Sequence, residues 1–362
     1  MSDPIENSEN IVIEGAYCPL PLEHSEQIVI GHGSGGKMTH DLIQKVFHPY
    51  FKNEYLAQGN DFSLIVPDRF DRNKNWVFTT DSHVVTPLFF PGGDIGRLAI
   101  CGTVNDICVS GGQPLFLTAG FIIEEGLSIS VLHKVLASMR EAANEAGVSI
   151  IAGDTKVVEK GKADQLFITT SGFGLASPLI QLGGQFAKPG DQVIITGTIG
   201  DHGIAVLAAR GELGFSSDIQ SDVAPLNHMV QSLLEVAPHT HVIRDPTRGG
   251  LATTLNEIAR QSNVGIVIDE INIPVNPTVH SVCELMGFDP LYIANEGKLV
   301  IIVPEEEADL ALKEVQSTLY GGKAAIIGKI VSEPPKRVLL KTTMGGTRIL
   351  DMLAGEMLPR IC

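Results

Sequence analysis

The residues in this sequence best suited to chemistry are one thiol and a set of hard oxygen donors. The thiol is that of Cys362, in the run Pro359-Arg360-Ile361-Cys362, where no packing demand explains it. Just before it, Met352-Leu353-Ala354-Gly355-Glu356 loses its apolar periodicity, so residues 351–362 are expected to form a flexible tail. Fully extended, that tail spans at most about 40 Å, enough for a thiol to visit more than one site. The oxygen donors are more dispersed. Asp81 ends the apolar run Asn75-Trp76-Val77-Phe78-Thr79-Thr80-Asp81, and Asp154 follows Ile150-Ile151-Ala152-Gly153 and precedes Thr155-Lys156. Both runs read as strands ending on a carboxylate. Between them, Asp94 opens a helical stretch through Leu98, Ala99, Cys101, Gly102 and Val104 that carries Asn105 and Asp106. Carboxylates on neighbouring strands, with an amide side chain on an adjacent helix, make a site suited to Mg²⁺ bridging phosphates. Asp also caps helices and shapes turns, so it is the set that counts and not any one member.

A second feature supports phosphate chemistry. Residues 27–30 form a short apolar strand that runs into Gly31-His32-Gly33-Ser34-Gly35-Gly36-Lys37-Met38, and a helix follows with Leu42, Ile43, Val46 and Phe47 on one face. A glycine-rich turn feeding a helix N-terminus presents free amides and a positive dipole end to an anion. The spacing matches neither the Walker pattern nor the dinucleotide fingerprint.

The elements that must position these groups alternate. Helical spacing over 130–146 precedes the Asp154 strand, and 165–171 forms another strand. A second unit is expected from about residue 176. In it, strand 192–197 leads to Gly200-Asp201-His202-Gly203, and Arg244-Asp245-Pro246-Thr247-Arg248-Gly249-Gly250 opens a helix with Leu251, Leu255 and Ile258. Asn295-Glu296-Gly297-Lys298 precedes strand 299–303. The expected organisation is an N-terminal extension over 1–26, domains over 27–175 and 176–350, and the tail over 351–362. Cys101 and Cys108 share a helix face and read as small buried residues. His239 and His241 read as an exposed pair.

Composition narrows the function classes. At 362 residues the chain exceeds the size at which single cores stop growing, so two domains are the default. A net charge of -16 repels nucleic acid and anionic membranes, so any phosphate must be held locally. No apolar run reaches membrane-spanning length and residues 1–10 are polar, so a cytoplasmic protein with reduced thiols is expected.

Together, Gly31-His32-Gly33-Ser34-Gly35-Gly36, Thr79-Thr80-Asp81-Ser82, Gly102-Thr103-Val104-Asn105-Asp106, Gly153-Asp154-Thr155-Lys156, Gly200-Asp201-His202-Gly203, Asp245-Pro246-Thr247-Arg248-Gly249-Gly250, Asn295-Glu296-Gly297-Lys298 and Pro359-Arg360-Ile361-Cys362 resemble the HypE family of hydrogenase maturation factors. The likeness runs from about residue 27 to 362. Looser parts of it are shared with a superfamily that includes aminoimidazole ribonucleotide synthetase, selenophosphate synthetase and thiamine monophosphate kinase.

The resemblance implies a two-domain α/β fold of the α+β type, like aminoimidazole ribonucleotide synthetase, dimerising through its N-terminal sheet. It also implies an ATP-dependent carbamoyl dehydratase. A HypF-like carbamoyltransferase would load the Cys362 thiol, ATP would drive dehydration to an S-cyanide, and a HypC-HypD-like complex would accept the cyanide for a [NiFe]-hydrogenase iron. Carried over by motif, Asp81 and Asp154 would hold Mg²⁺, with Asp61 and Asp245 as further ligands. Gly33, Ser34, Gly35, Gly36, Lys37, Asn105, Asp106 and Thr247 would bind ATP. Lys156 and Glu296 would manage protons around the thiocarboxamide, Lys156 having phosphate neutralisation as its competing role. Two other readings stand beside this one: an ATP-dependent enzyme of the same superfamily acting on a free small molecule, and a thiol carrier without catalysis.

Overall fold

The computed structural model describes residues 36–42, 44–45, 60, 63–65, 74–211, 218–355, 358 and 360–362. The expected extension over 1–26, strand 27–30, Gly33, Ser34, Gly35 and Asp61 lie outside the described residues. A short helix α1 (Lys37–Leu42) begins where the glycine-rich run was expected to open one.

The first half builds one sheet and two long helices. Its elements are β1 (Ser63–Ile65), β2 (Asn75–His83), β3 (Phe89–Phe90), β4 (Gly93–Asp94), α2 (Ile95–Cys108), β5 (Gln113–Glu124), α3 (Ile129–Ala146), β6 (Ser149–Val158) and β7 (Leu166–Ala176). The sheet order is β1-β2-β7-β5-β6, antiparallel throughout except for the parallel pair β5 and β6. The strands run on past the residues the sequence marks as their ends. β2 stays paired with β7 to His83 opposite Ile168, and β6 stays paired with β5 to Val158 opposite Glu124. Asp81 and Asp154 therefore lie inside strands and not at their ends, because cross-strand hydrogen bonding continues through polar residues wherever the sheet face is open.

Helix α2 is the spine of this half. Asp94 caps it, accepting hydrogen bonds from Gly96 N at 2.7 Å and Arg97 N at 3.2 Å. Twelve of its fourteen residues are buried, so it is apolar all round and packs on several sides at once. Ser128 opens α3 by accepting from Ser130 N, and Gly147 closes it in the left-handed conformation. Cys101 and Cys108 are fully buried on α2, as expected of small core residues, and burial pushes the Cys101 thiol up to about 12. The sheet face away from α2 carries exposed apolar side chains, among them Phe78 and Phe116, which both pack on Phe173.

The second half supplies β8 (Gln192–Ile195), α4 (Asp201–Ala209), α5 (Asn227–Val236), β9 (Val242–Arg244), α6 (Gly250–Gln261), β10 (Gly265–Asp269), α7 (Pro277–Met286), β11 (Val300–Val303), α8 (Glu305–Ser317), β12 (Ala325–Val331), β13 (Arg337–Lys341) and β14 (Thr347–Leu350). Its seven strands run β14-β13-β10-β12-β8-β11-β9. Both faces are covered. Strand alternation sends Val300 and Ile302 of β11 into a core with Leu251, Leu255 and Ile258 of α6, and Ile301 and Val303 into another with Leu233 of α5 and Val315 of α8. Hence the continuous apolar run over 299–303, which no one-sided strand would need. Among the described residues no helix is long and apolar enough to cross a membrane.

Asn105 pins the two halves together. Its amide nitrogen donates to Ala224 O at 3.0 Å and Glu296 O at 3.3 Å, and its carbonyl oxygen accepts from Leu226 N at 2.8 Å. Arg97 adds a bond from Nε to Val223 O at 3.0 Å and a part-buried ion pair with Glu145 at 2.8 Å. Removing the Asn105 side chain leaves three buried main-chain groups without partners. Asn105→Ala should lower stability by about 3 kcal/mol in urea titrations, well beyond a surface substitution.

Candidate active site

The halves meet at a cleft of about 220 Å³. Strand β2 lines it with Thr80, Asp81, Ser82 and His83, α2 with Gly102 and Asp106, the loop between β9 and α6 with Asp245, Thr247 and Arg248, and the loop before β11 with Glu296. Gly102 keeps it open: a Cβ there would stand 3.0 Å from Asp81 Oδ2 and 3.1 Å from the His83 ring.

Cys362 completes the lining. The end of the expected flexible tail is caught inside the cleft, where Ile361 bridges antiparallel to Val85 and Val84 N donates to Cys362 O at 3.1 Å. The thiol is hydrogen-bonded to the Glu296 carboxyl, and Arg248 stands beside both.

The electrostatics follow from crowding. Among the described residues, four carboxyl groups, those of Asp81, Asp106, Asp245 and Glu296, share the cleft with one guanidinium, that of Arg248. Glu296 is 5% exposed, and its Oε1 has no hydrogen-bond partner among the described residues. Burial pushes its carboxyl well above the usual range, and the charges of Asp81, Asp245 and Asp222 push the same way, while Arg248 opposes them. Burial likewise raises the Cys362 thiol far above its ordinary value, Glu296 adds to this, and Arg248 opposes it. Arg248 is raised chiefly by Cys362. His83, 3.5 Å from Asp81 Oδ2, is held neutral by burial against the pull of that carboxylate.

Behind Glu296 lies a buried pair. Asp222 Oδ1 accepts from Glu296 N at 3.1 Å, and Asp222 Oδ2 faces Lys298 Nζ at 3.2 Å. Burial resists the Asp222 charge, yet Lys298 and His202 hold its carboxyl below the ordinary value. The Glu296 backbone is thus seated on a fixed charge.

Of the sequence-derived residues, Asp81, Asp106, Asp245, Thr247, Glu296 and Cys362 converge on the cleft. Asn105 does not line it: its amide nitrogen and its carbonyl oxygen are both engaged at the domain seam. Asp154 and Lys156 stand apart on the exposed strand β6, where Lys156 Nζ pairs with Asp154 Oδ2 at 2.8 Å, and within one chain they do not reach the thiol. Gly36 and Lys37 sit by the root of the tail, with Lys37 N donating to Leu353 O at 2.9 Å. Sequence reasoning missed Arg248, although its motif was in view. A cation between aspartate and paired glycines in so acidic a chain was the available signal.

Known proteins resemble this chain over most of its length. Residues 59–176 match the AIR synthase related protein N-terminal domain and residues 188–341 its C-terminal domain. Carbamoyl dehydratase HypE of Cupriavidus necator is 49% identical over 348 residues, covering 96% of this chain and 98% of that protein. The chain belongs to the HypE family. HypE of Escherichia coli (strain K12) is 44% identical over 336 residues, covering 92% of this chain and 99% of that one. Among solved structures, a HypE-HypF complex matches with a TM-score of 0.81 at 51% identity, covering 86% of this chain and 99% of that one. HypE in complex with ATP matches with a TM-score of 0.76 at 46% identity, covering 93% and 100%. Thiamine monophosphate kinase from Aquifex aeolicus, at 18% identity and a TM-score of 0.60, shares the fold.

The Glu296 environment has a measurable cost. Its folded-state pKa lies above its ordinary 4.5, so the native state holds a proton that the unfolded chain releases, and stability is lost as pH rises through that window. Glu296→Gln removes the dependence. Urea titrations from pH 4 to 7 should show the variant gaining on the parent by up to about 1.4 kcal/mol per pH unit above 4.5; parallel curves would disprove the raised value.

Proposed function

We propose that this HypE family member dehydrates a carbamoyl group carried on its own Cys362 thiol, at the expense of ATP, to give an S-cyanide. The observation that carries the reading is the docked tail, which brings the one part-exposed described cysteine into a cleft walled by carboxylates. The cyanide so formed supplies ligands for a [NiFe]-hydrogenase iron. A HypF-like carbamoyltransferase loads the thiol and a HypC-HypD-like complex accepts the product, all in the cytoplasm.

The chemistry proceeds in two balanced steps. The carboxamide oxygen of the S-carbamoyl group attacks the γ-phosphorus of ATP, ADP departs, and nitrogen loses one proton, leaving an O-phosphorylated imidate. Then the C–O bond breaks, nitrogen loses its second proton, and phosphate leaves behind the C–N triple bond. Glu296, within reach of the sulfur and with one oxygen unpartnered, is placed to take an N–H proton when ionised. Arg248 offsets charge on the transferring phosphoryl group. The cleft is smaller than the roughly 300 Å³ of typical ligand pockets, a size suited to the reacting groups alone.

The carboxylate set fits Mg²⁺. Among the described residues no three His, Cys, Asp or Glu side chains form a closed metal cage. Mg²⁺ does not require one, since it takes one or two carboxylates and keeps water and phosphate oxygens. Asp81 and Asp245 would hold it with Asp106 nearby, and the excess of carboxyls over cations in the cleft favours a bound cation there. When bound, it neutralises charge on the phosphates.

Asp154 and Lys156 enter through a homodimer. The exposed apolar face of the N-terminal sheet offers a surface for a second copy, and pairing through it would carry these two residues toward the neighbouring cleft. Lys156 would then stand near the thiocarboxamide and Asp154 near the metal.

Intact-mass measurements with a carbamoyl donor system should show one added carbamoyl group, and loss of one water once ATP is present. Cys362→Ala should show neither change; ATP turnover surviving that substitution would reassign the site to a free substrate. Mixing inactive Asp81→Asn and Asp154→Asn chains should restore about a quarter of the sites if each site draws on two copies by random pairing; no recovery despite subunit exchange would rule out a site shared between copies.

A further inference from the structure

The tail is held by a groove whose parts all belong to the folded body. Residues 84–86 form one wall: Val84 N donates to Cys362 O at 3.1 Å and Thr86 N to Arg360 O at 3.2 Å, on either side of the Val85–Ile361 bridge. Arg210, at the end of α4, clamps both strands of that bridge, with Nε donating to Thr86 O at 2.6 Å and a terminal nitrogen to Arg360 O at 2.5 Å. His202 supplies the remaining main-chain contact, its Nε2 donating to Ile361 O at 2.6 Å. Its tautomer follows from its other side: Ser221 Oγ accepts from Val223 N at 3.2 Å and directs its hydrogen to His202 Nδ1 at 2.8 Å. The three successive tail carbonyls from Arg360 to Cys362 each accept a hydrogen bond from the body.

Side chains are read as well. Ile361 is 5% exposed among the residues of the N-terminal core, and Leu358 packs on the cluster around Ile204, Val279 and Ile293. Gly203 makes the floor: a Cβ there would meet Ile293 first, at 2.4 Å, then Ile361 at 3.3 Å and Leu358 at 3.4 Å. Arg360 pairs with Asp164 in the loop between β6 and β7. It does so with φ at +53°, a left-handed conformation unfavourable for a side-chain-bearing residue, held by contacts on both sides.

We propose that residues 84–86, Asp164, His202, Gly203 and Arg210 form a peptide-binding groove, specific for an extended Leu-x-Arg-Ile-Cys segment, that accepts this segment from a second copy of the chain as well as from its own. The groove grips main chain through β-pairing and reads the side chains of Leu358, Arg360 and Ile361, pairing and pockets together being the general mode by which extended peptides are recognised. None of its contacts requires the chain to be continuous through residues 354–357. The cis tail prevails ordinarily through its high effective concentration, so exchange becomes visible when that tail is weakened. The inference concerns binding alone and survives or fails independently of the dehydration chemistry.

The test uses the full chain bearing Ile361→Asp and Cys362→Ser, which seats a charge in the apolar hole and frees the groove. A fluorescent Leu-Pro-Arg-Ile-Cys peptide, followed by anisotropy, should bind this host at least about tenfold more tightly than it binds the parent, whose own tail competes. Adding Arg210→Met to the host should weaken binding by about tenfold or more. Asp164→Asn, at an exposed loop position that leaves folding intact, should weaken the parent peptide yet leave a peptide with Arg replaced by Leu unchanged. Equal binding of a scrambled peptide, indifference to Arg210→Met, or no binding by a host whose circular dichroism matches the parent would overturn the proposal.

Discussion

Four carboxyl groups and a thiol gathered around one guanidinium, in a cleft between the two halves, set the terms for the rest of this structure. Like charges so placed cannot all ionise without a compensating cation. In this structure the crowding pushes Glu296 and the thiol toward their protonated forms. The arrangement explains why neither half could form the site alone. The N-terminal half supplies Asp81 and Asp106, the C-terminal half supplies Asp245, Arg248 and Glu296, and the seam between them must hold their spacing.

That seam is where helix α2 matters. One side of it carries Gly102 and Asp106 into the cleft, while Asn105, the next residue along, turns to the main chain of the loops at 224–226 and 296. A helix buried on nearly every side cannot shift without disturbing both cores, so the acidic wall and the loop bearing Glu296 are fixed relative to each other. The Asp222–Lys298 pair extends the same logic one layer back, holding the Glu296 backbone amide with a buried charge that is itself balanced.

The tail adds a different kind of constraint. Its last residues bind as a short strand, with main-chain pairing for grip and an apolar hole for register, and these interactions are separable from the chemistry at the thiol. Under the proposed function the thiol leaves to be loaded and returns to be processed, which calls for a seat of moderate strength. A single bridge with three or four side-chain contacts has that character, unlike a strand built into the middle of a sheet.

Much of this was legible from residue order. The turn at Gly249-Gly250 and the helix after it, the helix following Asp94, the continuous run over 299–303 and the sets Asp81, Asp106, Asp245, Thr247 and Glu296 follow from periodicity, local backbone chemistry and motif. Local sequence also determined that the chain would be acidic, two-domain and equipped with the Cys362 thiol. Only the tertiary structure decided which of the candidate residues share a space. Asn105 and Asp106 are neighbours in sequence yet face opposite duties, because adjacent positions on a helix point about 100° apart. Asp154 and Asp81 look alike as carboxylates after apolar runs, but the sheet order puts their strands three places apart, β6 exposed at the edge and β2 against the second half. Sheet order and domain docking are set by long-range packing, which no local pattern encodes. Arg248, His202 and Arg210 acquired their roles in the same way, through partners more than a hundred residues distant.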